Sequence, residues 1–388
     1  MRLLATRVLA AAAVLTLVGP AALAQPVAPP APPAAAPAPP VVISPEVHAD
    51  RRVTFRFRAP NAKEVAVARA GAARLPMTRD EQGTWSVTTE PLPPDIYQYT
   101  FNVDGTSTID PMNGWVAPNL LNMSNMVRVP GTTAEALPWE ITDVPRGELR
   151  RHFYKSARIG DHRDYYVYTP PGYDPRRQER YPVLYLLHGF SDDASGWTSV
   201  GQAHVILDNL IAARKVEPML VVMTLGYGAP EIVTRGARAP QLRQKNMEGY
   251  RDALFAEVIP AIEKAYHADS RRERRAIAGL SMGGAESLFV GLNAIDRFAW
   301  VGAFSAGGLG EPGTFAQVFP SLDAADAKRL KLLWIACGTE DGLIDANRQV
   351  RAFLTERGVS HEAIETPGAH TWLVWRRNLA EFTPKLFR

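Results

Sequence analysis

The stretch IAGLSMGG, residues 277–284, decides the fold of this chain. It reads Gly-x-Ser-x-Gly around Ser281, follows a short β-capable segment, and precedes a segment with apolar residues at helical spacing. A strand, a sharp turn and a helix are the context in which this motif exposes a nucleophilic hydroxyl. We expect that positions 279 and 283 require glycine, because neighbouring backbone comes too close there to admit a Cβ atom. Ordinary Gly-rich turns also carry this pattern, so its partners decide its meaning.

A serine hydroxyl needs an adjacent base, and the base needs an acid that orients it. Where this motif is catalytic, the acid and then the histidine follow the serine along the chain. Two histidines follow Ser281. His361 opens a strand and is interpreted as a surface residue, whereas His370 lies in a Pro/Gly-rich loop that leaves the strand. Catalytic side chains concentrate in such loops, so His370 is the predicted base.

The acid is expected in the loop after the apolar strand at residues 330–337. Asp341 is the predicted acid, and Glu340 is the alternative. Asp345 is predicted instead to cap the helix at residues 346–357, since an Asp that precedes a helix accepts hydrogen bonds from its free amides.

The predicted oxyanion hole joins two distant backbone amides. An unbroken apolar run at residues 181–187 predicts a buried strand, and it ends at His188. The Phe190 amide, in the following loop, and the Met282 amide, directly after Ser281, are the predicted donors. His188 is predicted to be structural and to pack beside the turn rather than to act as a base.

Three aromatic residues lie next to these loops in the sequence, namely Trp197, Tyr227 and Trp372. We expect them to line a substrate pocket, with a place in the core as the competing interpretation. His and Cys residues lack metal-ligand spacing, so neither a metal nor a cofactor is predicted. The pair Asp192 and Asp193 is interpreted as a polar loop at the site's rim rather than as a cation site.

Eight segments carry a family pattern in combination; they are residues 168–173, 181–189, 196–197, 206–212, 221–224, 279–284, 298–305 and 337–341. Together they resemble the esterase D-type α/β-hydrolases, and in particular carbohydrate esterase family 1, which holds feruloyl and acetylxylan esterases. The resemblance covers residues 145–388 and implies Ser281 as nucleophile, Asp341 as acid and His370 as base. Enterochelin esterases and mycolyltransferases share the pattern, so the substrate does not follow from these residues.

Strands and helices alternate downstream of residue 145. The predicted strands are 164–168, 183–187, 220–224, 275–278, 300–304, 332–336 and 361–366. The predicted helices are 205–215, 249–266, 282–293, 346–357 and 375–386. Such alternation predicts an α/β fold with a mostly parallel sheet that is covered on both faces. The Arg-rich segment 226–243 is expected to border the substrate cleft.

The front of the chain predicts three further parts. Residues 1–24 have the positive, apolar and small-residue regions of a secretory signal peptide, and residues 25–40 form an Ala/Pro-rich linker. Residues 41–130 carry short strands at regular spacing, which predicts a small all-β sandwich that resembles the immunoglobulin-like early-set domains. Its Trp85 and Trp115 are interpreted as core residues, with glycan binding as the alternative.

Composition limits the partners. The net charge of +3 over 388 residues is too small to argue for nucleic acid, and no segment after the signal is apolar enough for stable membrane insertion. The single Cys337 excludes an internal disulfide, so an exported chain would depend on its core alone. We expect a periplasmic or secreted protein, and the oligomeric state stays open.

Motif and resemblance together imply a secreted serine esterase that hydrolyses feruloyl or acetyl decorations of plant polysaccharides such as xylan, through an acyl-enzyme on Ser281. A polysaccharide or a small ester is the expected substrate. One alternative is a siderophore esterase or an acyltransferase of the same superfamily. The other is a glycan-binding protein with an inactive hydrolase fold, which the intact set of Ser281, Asp341 and His370 disfavours.

Overall fold

A computed structural model of the chain describes residues 42–132, 136–236, 239–310 and 312–388. The predicted signal peptide, residues 1–24, and the linker, residues 25–40, lie outside the described residues.

Short strands with alternating buried side chains build the first part of the structure. They are β1 Glu46–Val47, β2 Val53–Arg58, β3 Val65–Arg69, β4 Leu75–Pro76, β5 Thr78–Arg79, β6 Thr84–Thr88, β7 Asp95–Val103, β8 Thr106–Thr108, β9 Val116–Ala117 and β10 Ser124–Val129. They pair into two antiparallel sheets, β1-β2-β6-β5 and β4-β3-β7-β10-β9, with β8 added to β7. Phe55, Tyr99 and Phe101 meet in their common core and are at most 1% exposed. Trp85 belongs to this core as well, which agrees with its structural interpretation. The predicted all-β sandwich is confirmed.

The second part is built on a larger sheet. Its strands are β11 Glu148–Lys155, β12 His162–Thr169, β13 Val183–Leu187, β14 Leu220–Thr224, β15 Arg275–Leu280, β16 Trp300–Phe304, β17 Leu332–Gly338 and β18 Glu362–Thr366. Their order is β11-β12-β14-β13-β15-β16-β17-β18, and β12 runs antiparallel to both of its neighbours while the strands from β14 onward pair in parallel. The central strands are buried along their whole length, as sheets covered on both faces require. The mostly parallel α/β sheet is therefore confirmed.

Helices cover this sheet. They are α1 Gly196–Ser199, α2 Ala203–Ala212, α3 Glu231–Arg235, α4 Pro240–Ala253, α5 Ile259–Ala265, α6 Met282–Asn293, α7 Phe315–Val318, α8 Ala324–Ala327, α9 Ile344–Glu356 and α10 Trp372–Phe382. A π-helical turn, Leu254–Val258, joins α4 to α5, and 3-10 turns lie at Arg272–Arg274, Pro312–Thr314 and Thr383–Lys385. The helix after Ser281 has the bounds that the sequence predicts.

Two differences from the sequence expectations have physical causes. Strand β11 was not expected, because its side chains are largely exposed; it lies at the sheet edge and pairs along its whole length with β12. Helix α4 begins at Pro240, nine residues before the predicted start, although its first turns lack an apolar stripe. A close backbone contact fixes this segment, since a Cβ atom on Gly249 would lie 2.5 Å from the Gly228 carbonyl oxygen.

A buried ion pair joins the sandwich to α10. Arg376 is 0% exposed and donates to the Asp95 carboxylate at 2.9 Å. The same guanidinium donates to the carbonyls of Ile96 at 2.6 Å and Val200 at 3.1 Å. The Trp139 ring N–H also donates to Asp95, at 3.0 Å. Because buried charges are costly without partners, this network ties the two parts into one compact unit.

Replacing Arg376 with Met is expected to lower the free energy of unfolding by about 3 kcal/mol, because the buried Asp95 carboxylate loses its fully buried cation and keeps the half-exposed Arg377, at 3.1 Å. Urea unfolding measures the loss. The double variant Asp95→Asn/Arg376→Met is expected to recover part of it, and an equal loss in both variants would contradict the coupling. Lys385→Met is the control, since its exposed pair with Glu362 is worth less than about 1 kcal/mol.

Candidate active site

Ser281 forms the whole turn between β15 and α6, because the strand ends at Leu280 and the helix begins at Met282. Its φ angle is +52°, a conformation that costs a residue with a side chain roughly 1–3 kcal/mol. Its amide donates to the Phe304 carbonyl of the neighbouring β16 at 2.8 Å. The surrounding structure therefore holds the hydroxyl at the carboxyl edge of the sheet.

The two glycines of the motif allow this geometry. A Cβ atom on Gly279 would lie 2.5 Å from the Gly283 carbonyl oxygen, and one on Gly283 would lie 2.4 Å from the His188 carbonyl oxygen. Both distances are shorter than any side chain tolerates. The predicted close approach of backbone at Gly279 and Gly283 is confirmed, and helix α6 rests directly on β15 and the end of β13.

The structure brings Ser281, His370 and Asp341 into one hydrogen-bonded line. His370 Nε2 lies 3.0 Å from Ser281 Oγ, and His370 Nδ1 lies 2.8 Å from Asp341 Oδ2. Since Nδ1 donates to the carboxylate, Nε2 of the neutral ring faces the hydroxyl as an acceptor. The arrangement can remove a proton from Ser281 and stabilise the resulting imidazolium.

Asp341 is buried, and its environment keeps it charged. Burial by itself raises the pKa of this carboxyl, but hydrogen bonds from His370 and from the Leu343 amide outweigh it and hold the pKa below the ordinary value. The Trp375 ring meets the His370 ring edge-on, with centroids 4.8 Å apart. Trp375 was missed as a site residue, because the sequence marks it only as the expected start of a helix.

The other acids of this loop have different places. The carboxylate of Glu340, the alternative acid, accepts a hydrogen bond from the Gly368 amide, in the loop that leads to His370. Asp345 is not the cap of α9, which corrects the expectation. The helix begins at Ile344, the residue before Asp345. Asp345 therefore lies in the first turn, where its negative charge still stabilises the helix N-terminus.

The predicted oxyanion donors lie beside Ser281. The oxyanion turn, residues 189–192, abuts it, since a Cβ atom on Gly189 would lie 3.2 Å from Ser281 Cβ. Phe190, in this turn, lines both cavities that open at Ser281. Met282 is the first residue of α6, and its amide is among those that a helix leaves without an intrahelical partner.

His188 has the structural place that the sequence predicts. Its Nε2 accepts the Gly226 amide at 2.9 Å, so its Nδ1 carries the proton and donates to the Gly189 carbonyl at 2.7 Å. Burial lowers the pKa of His188 to about 4, which keeps the ring neutral. This side chain braces the start of the oxyanion turn.

Two cavities in the described residues meet Ser281 from different sides. The larger, of ≈ 380 Å³, is lined by Phe190, Ile232, Arg243, Asn246, Met247, Ser281, Met282, Ala285, Gly307, Gly308 and Leu343. The smaller, of ≈ 200 Å³, is lined by Ser281, His370, Trp372 and Trp375 together with Ala70, Gln98 and Asn119 of the sandwich. As expected, residues of the segment 226–243 border the larger cavity.

The expectation for the three aromatic residues needs correction. Trp197 is 0% exposed, and its ring N–H donates to the Leu187 carbonyl at 2.8 Å. Tyr227 is 2% exposed, and its hydroxyl donates to the Asp192 carbonyl at 2.8 Å. Both therefore belong to the core behind the site, and only Trp372 borders a cavity at Ser281. An aromatic side chain next to a loop can face either the core or the cavity, and the sequence pattern does not determine which.

Cys337 lies near the acid loop but in the core. It is 1% exposed, and burial raises the pKa of its thiol to about 12. A thiol in this state is a packing group, as the sequence predicts. Throughout the described ranges, no group of three or more His, Cys, Asp or Glu side chains is placed to hold a metal ion. In the same ranges, no helix has the length and apolar character needed to cross a membrane.

The fold and the site together define an α/β-hydrolase. The chain belongs to the esterase family whose description reads "Putative esterase", which matches residues 156–386. It is 30% identical over 351 residues to an endo-1,4-beta-xylanase/feruloyl esterase of Xylanibacter ruminicola, in a match that covers 89% of this chain and 46% of the relative. The chain thus spans about half the length of that relative.

Solved structures share the fold. One is a ferulic acid esterase, with 27% identity and a TM-score of 0.52, in a match that covers 62% of this chain and 97% of that chain. Another is an enterochelin esterase from Shigella flexneri, with 19% identity and a TM-score of 0.67, in a match that covers 89% of this chain and 95% of that chain. The second match extends over the sandwich as well as the sheet.

Asp192, in the oxyanion turn, is 7% exposed, and burial raises its pKa from 3.8 to about 7. Between these values the folded protein holds a proton that the unfolded chain has lost. The contribution of Asp192 to the free energy of unfolding therefore falls as the pH rises from about 4 to about 7. Asn cannot titrate, so Asp192→Asn is expected to gain on the parent by up to about 1.4 kcal/mol per pH unit in this window.

Urea unfolding of both proteins at pH 5, 6 and 7 measures this difference. Because all other titrating groups are shared, their contributions cancel in the comparison. A difference between Asp192→Asn and the parent that is constant with pH would contradict the raised pKa.

Proposed function

We propose that this protein is a serine esterase that removes feruloyl or acetyl groups from plant polysaccharides such as xylan, through an acyl-enzyme on Ser281. The observation that carries the proposal is the line from Ser281 Oγ through His370 to Asp341, with distances of 3.0 and 2.8 Å. Membership of the esterase family and the xylanase/feruloyl esterase relative support it.

In the proposed mechanism, His370 takes the Ser281 proton as the hydroxyl attacks the ester carbonyl. Asp341 orients the imidazole and stabilises its cation. The amides of Phe190 and Met282 receive the charge that develops on the carbonyl oxygen, and each such donor is worth about 3 kcal/mol of barrier. The alcohol leaves with the proton from His370, and water then releases the acyl group by the same steps in reverse roles.

The larger cavity favours an aromatic acyl group. Its volume of ≈ 380 Å³ lies within the range of sites for small molecules and far exceeds the space that an acetyl group needs. Ile232, Met247 and Leu343 give it apolar walls, while Arg243 and Asn246 supply polar groups. These features suit a ring that carries hydroxyl and methoxyl substituents, so feruloyl is the preferred acyl group.

We also place the reaction outside the cytoplasm. Polymeric xylan is met there, and the pattern of residues 1–24 supports export. Fractionation of cells and culture medium distinguishes a periplasmic from a secreted protein.

Ser281→Ala is expected to lower kcat by roughly 10⁶-fold, because it removes the hydroxyl that forms the proposed acyl-enzyme. The assay measures ferulate release from methyl ferulate and acetate release from acetylated xylan. Ser321→Ala, at an exposed position, is the control and is expected to match the parent. Full activity in Ser281→Ala would contradict the assignment, and silence of the parent on both esters would move it to another ester class, such as siderophore lactones.

Leu343→Trp is expected to separate the two acyl groups. Leu343 is half-buried at the wall of the larger cavity, so added bulk fills the space without disturbing the core. We expect kcat/KM on methyl ferulate to fall roughly 10- to 200-fold, while hydrolysis of an acetyl ester stays near the parent value. Equal loss on both esters would contradict the use of this cavity for the acyl group.

A further inference from the structure

The side chain of Asn119 links the sandwich to the oxyanion turn. Asn119 lies in the loop between β9 and β10, and its Nδ2 donates to Ser191 Oγ and to Asp192 Oδ1, both at 3.0 Å. The next amide, that of Leu120, donates to the Ser191 carbonyl at 2.7 Å. The turn that carries Phe190 is thus held by three hydrogen bonds from the other part of the molecule.

The oxyanion turn needs such support. The Asp192 amide donates to the Gly189 carbonyl at 3.2 Å, which closes a β-turn with Phe190 and Ser191 in its centre. Ser191 has a φ angle of +69° at the third position of this turn, where glycine or asparagine is preferred. A serine there is strained and keeps its conformation only while its surroundings hold it.

Asn119 is itself fixed in place. Its Oδ1 accepts the amides of Leu121 at 3.0 Å and Asn122 at 2.9 Å, so the side chain is oriented by its own loop. Its Nδ2 therefore points at the turn without further ordering. Asn119 also borders the smaller cavity at Ser281, which places these contacts beside the reacting atoms.

We propose that Asn119 is a positioning residue for ester hydrolysis, which acts through Ser191 and Asp192 to keep the Phe190 amide directed at the oxyanion. This inference rests on the proposed esterase function. It makes the sandwich a component of the catalytic centre, in addition to any role in substrate binding.

The test compares Asn119→Ala with Asn122→Ala, an exposed side chain of the same loop. Loss of a complete oxyanion donor costs 10²- to 10³-fold in kcat, and a misdirected donor is expected to cost about 10- to 100-fold. Since the donor acts on charge that develops in the transition state, kcat on p-nitrophenyl acetate should fall while KM changes less than about twofold. The rate of inactivation by a fluorophosphonate should fall by a similar factor, and Asn122→Ala should match the parent.

A double-variant cycle isolates the route through Ser191. Glycine adopts a φ angle of +69° without strain, so Ser191→Gly lessens the need for support. In the Ser191→Gly background, Asn119→Ala is expected to lose less than about threefold in kcat, against about 10- to 100-fold in the parent background. Thermal unfolding of all four proteins is recorded in parallel.

Two outcomes would overturn the inference. They are an unchanged kcat in Asn119→Ala, whatever its melting temperature, and an equal loss of kcat in both backgrounds. Failure of the proposed function looks different, because the parent itself would then neither hydrolyse the ester nor react with the fluorophosphonate at Ser281. If the parent and Asn119→Ala react with the fluorophosphonate at the same rate, only the positioning role of Asn119 is contradicted.

Discussion

The site depends on one constraint. Helix α6 lies in direct backbone contact with β15 and with the end of β13, with no Cβ atom between them. It exists because Gly279 and Gly283 leave room for backbone at 2.4–2.5 Å from where side chains would begin. The contact holds Ser281 in its unfavourable conformation at the carboxyl edge of the sheet. Strands β15 to β18 are parallel, so the loops after β17 and β18 begin at the edge of the sheet where Ser281 lies. This strand order places Asp341 and His370 beside Ser281.

The sandwich closes the other side of the site. Arg376 lies in α10, shortly after His370, and its buried pair with Asp95 fixes the helix that carries the histidine loop. A Cβ atom on Gly71 of the sandwich would lie 3.2 Å from Thr371 Cγ2, so the sandwich also meets this loop directly. Asn119 completes the contact at the oxyanion turn. The docking of the two parts therefore bears on both the proposed base, His370, and the proposed oxyanion hole.

The sequence predicted those parts of the site that local patterns encode. The turn at Ser281, the bounds of α6, the order of acid and histidine, and the place of His188 all follow from short motifs and apolar runs. Burial of Trp197 and Tyr227 was only the competing interpretation, because it depends on which side of a loop each ring takes. The contact of Asn119 with Ser191 was missed for a related reason: it joins two loops far apart in the chain, and neither has a pattern that names the other.

The proposed function depends most on an acyl-enzyme at Ser281, and trapping this intermediate tests it most directly. The purified protein is mixed with excess methyl ferulate, quenched in acid within its first turnovers, and digested for mass spectrometry. We predict a single feruloyl adduct on the peptide that contains Ser281, absent from Ser281→Ala. Turnover of the ester without an adduct there, or an adduct confined to a different residue, would contradict the mechanism.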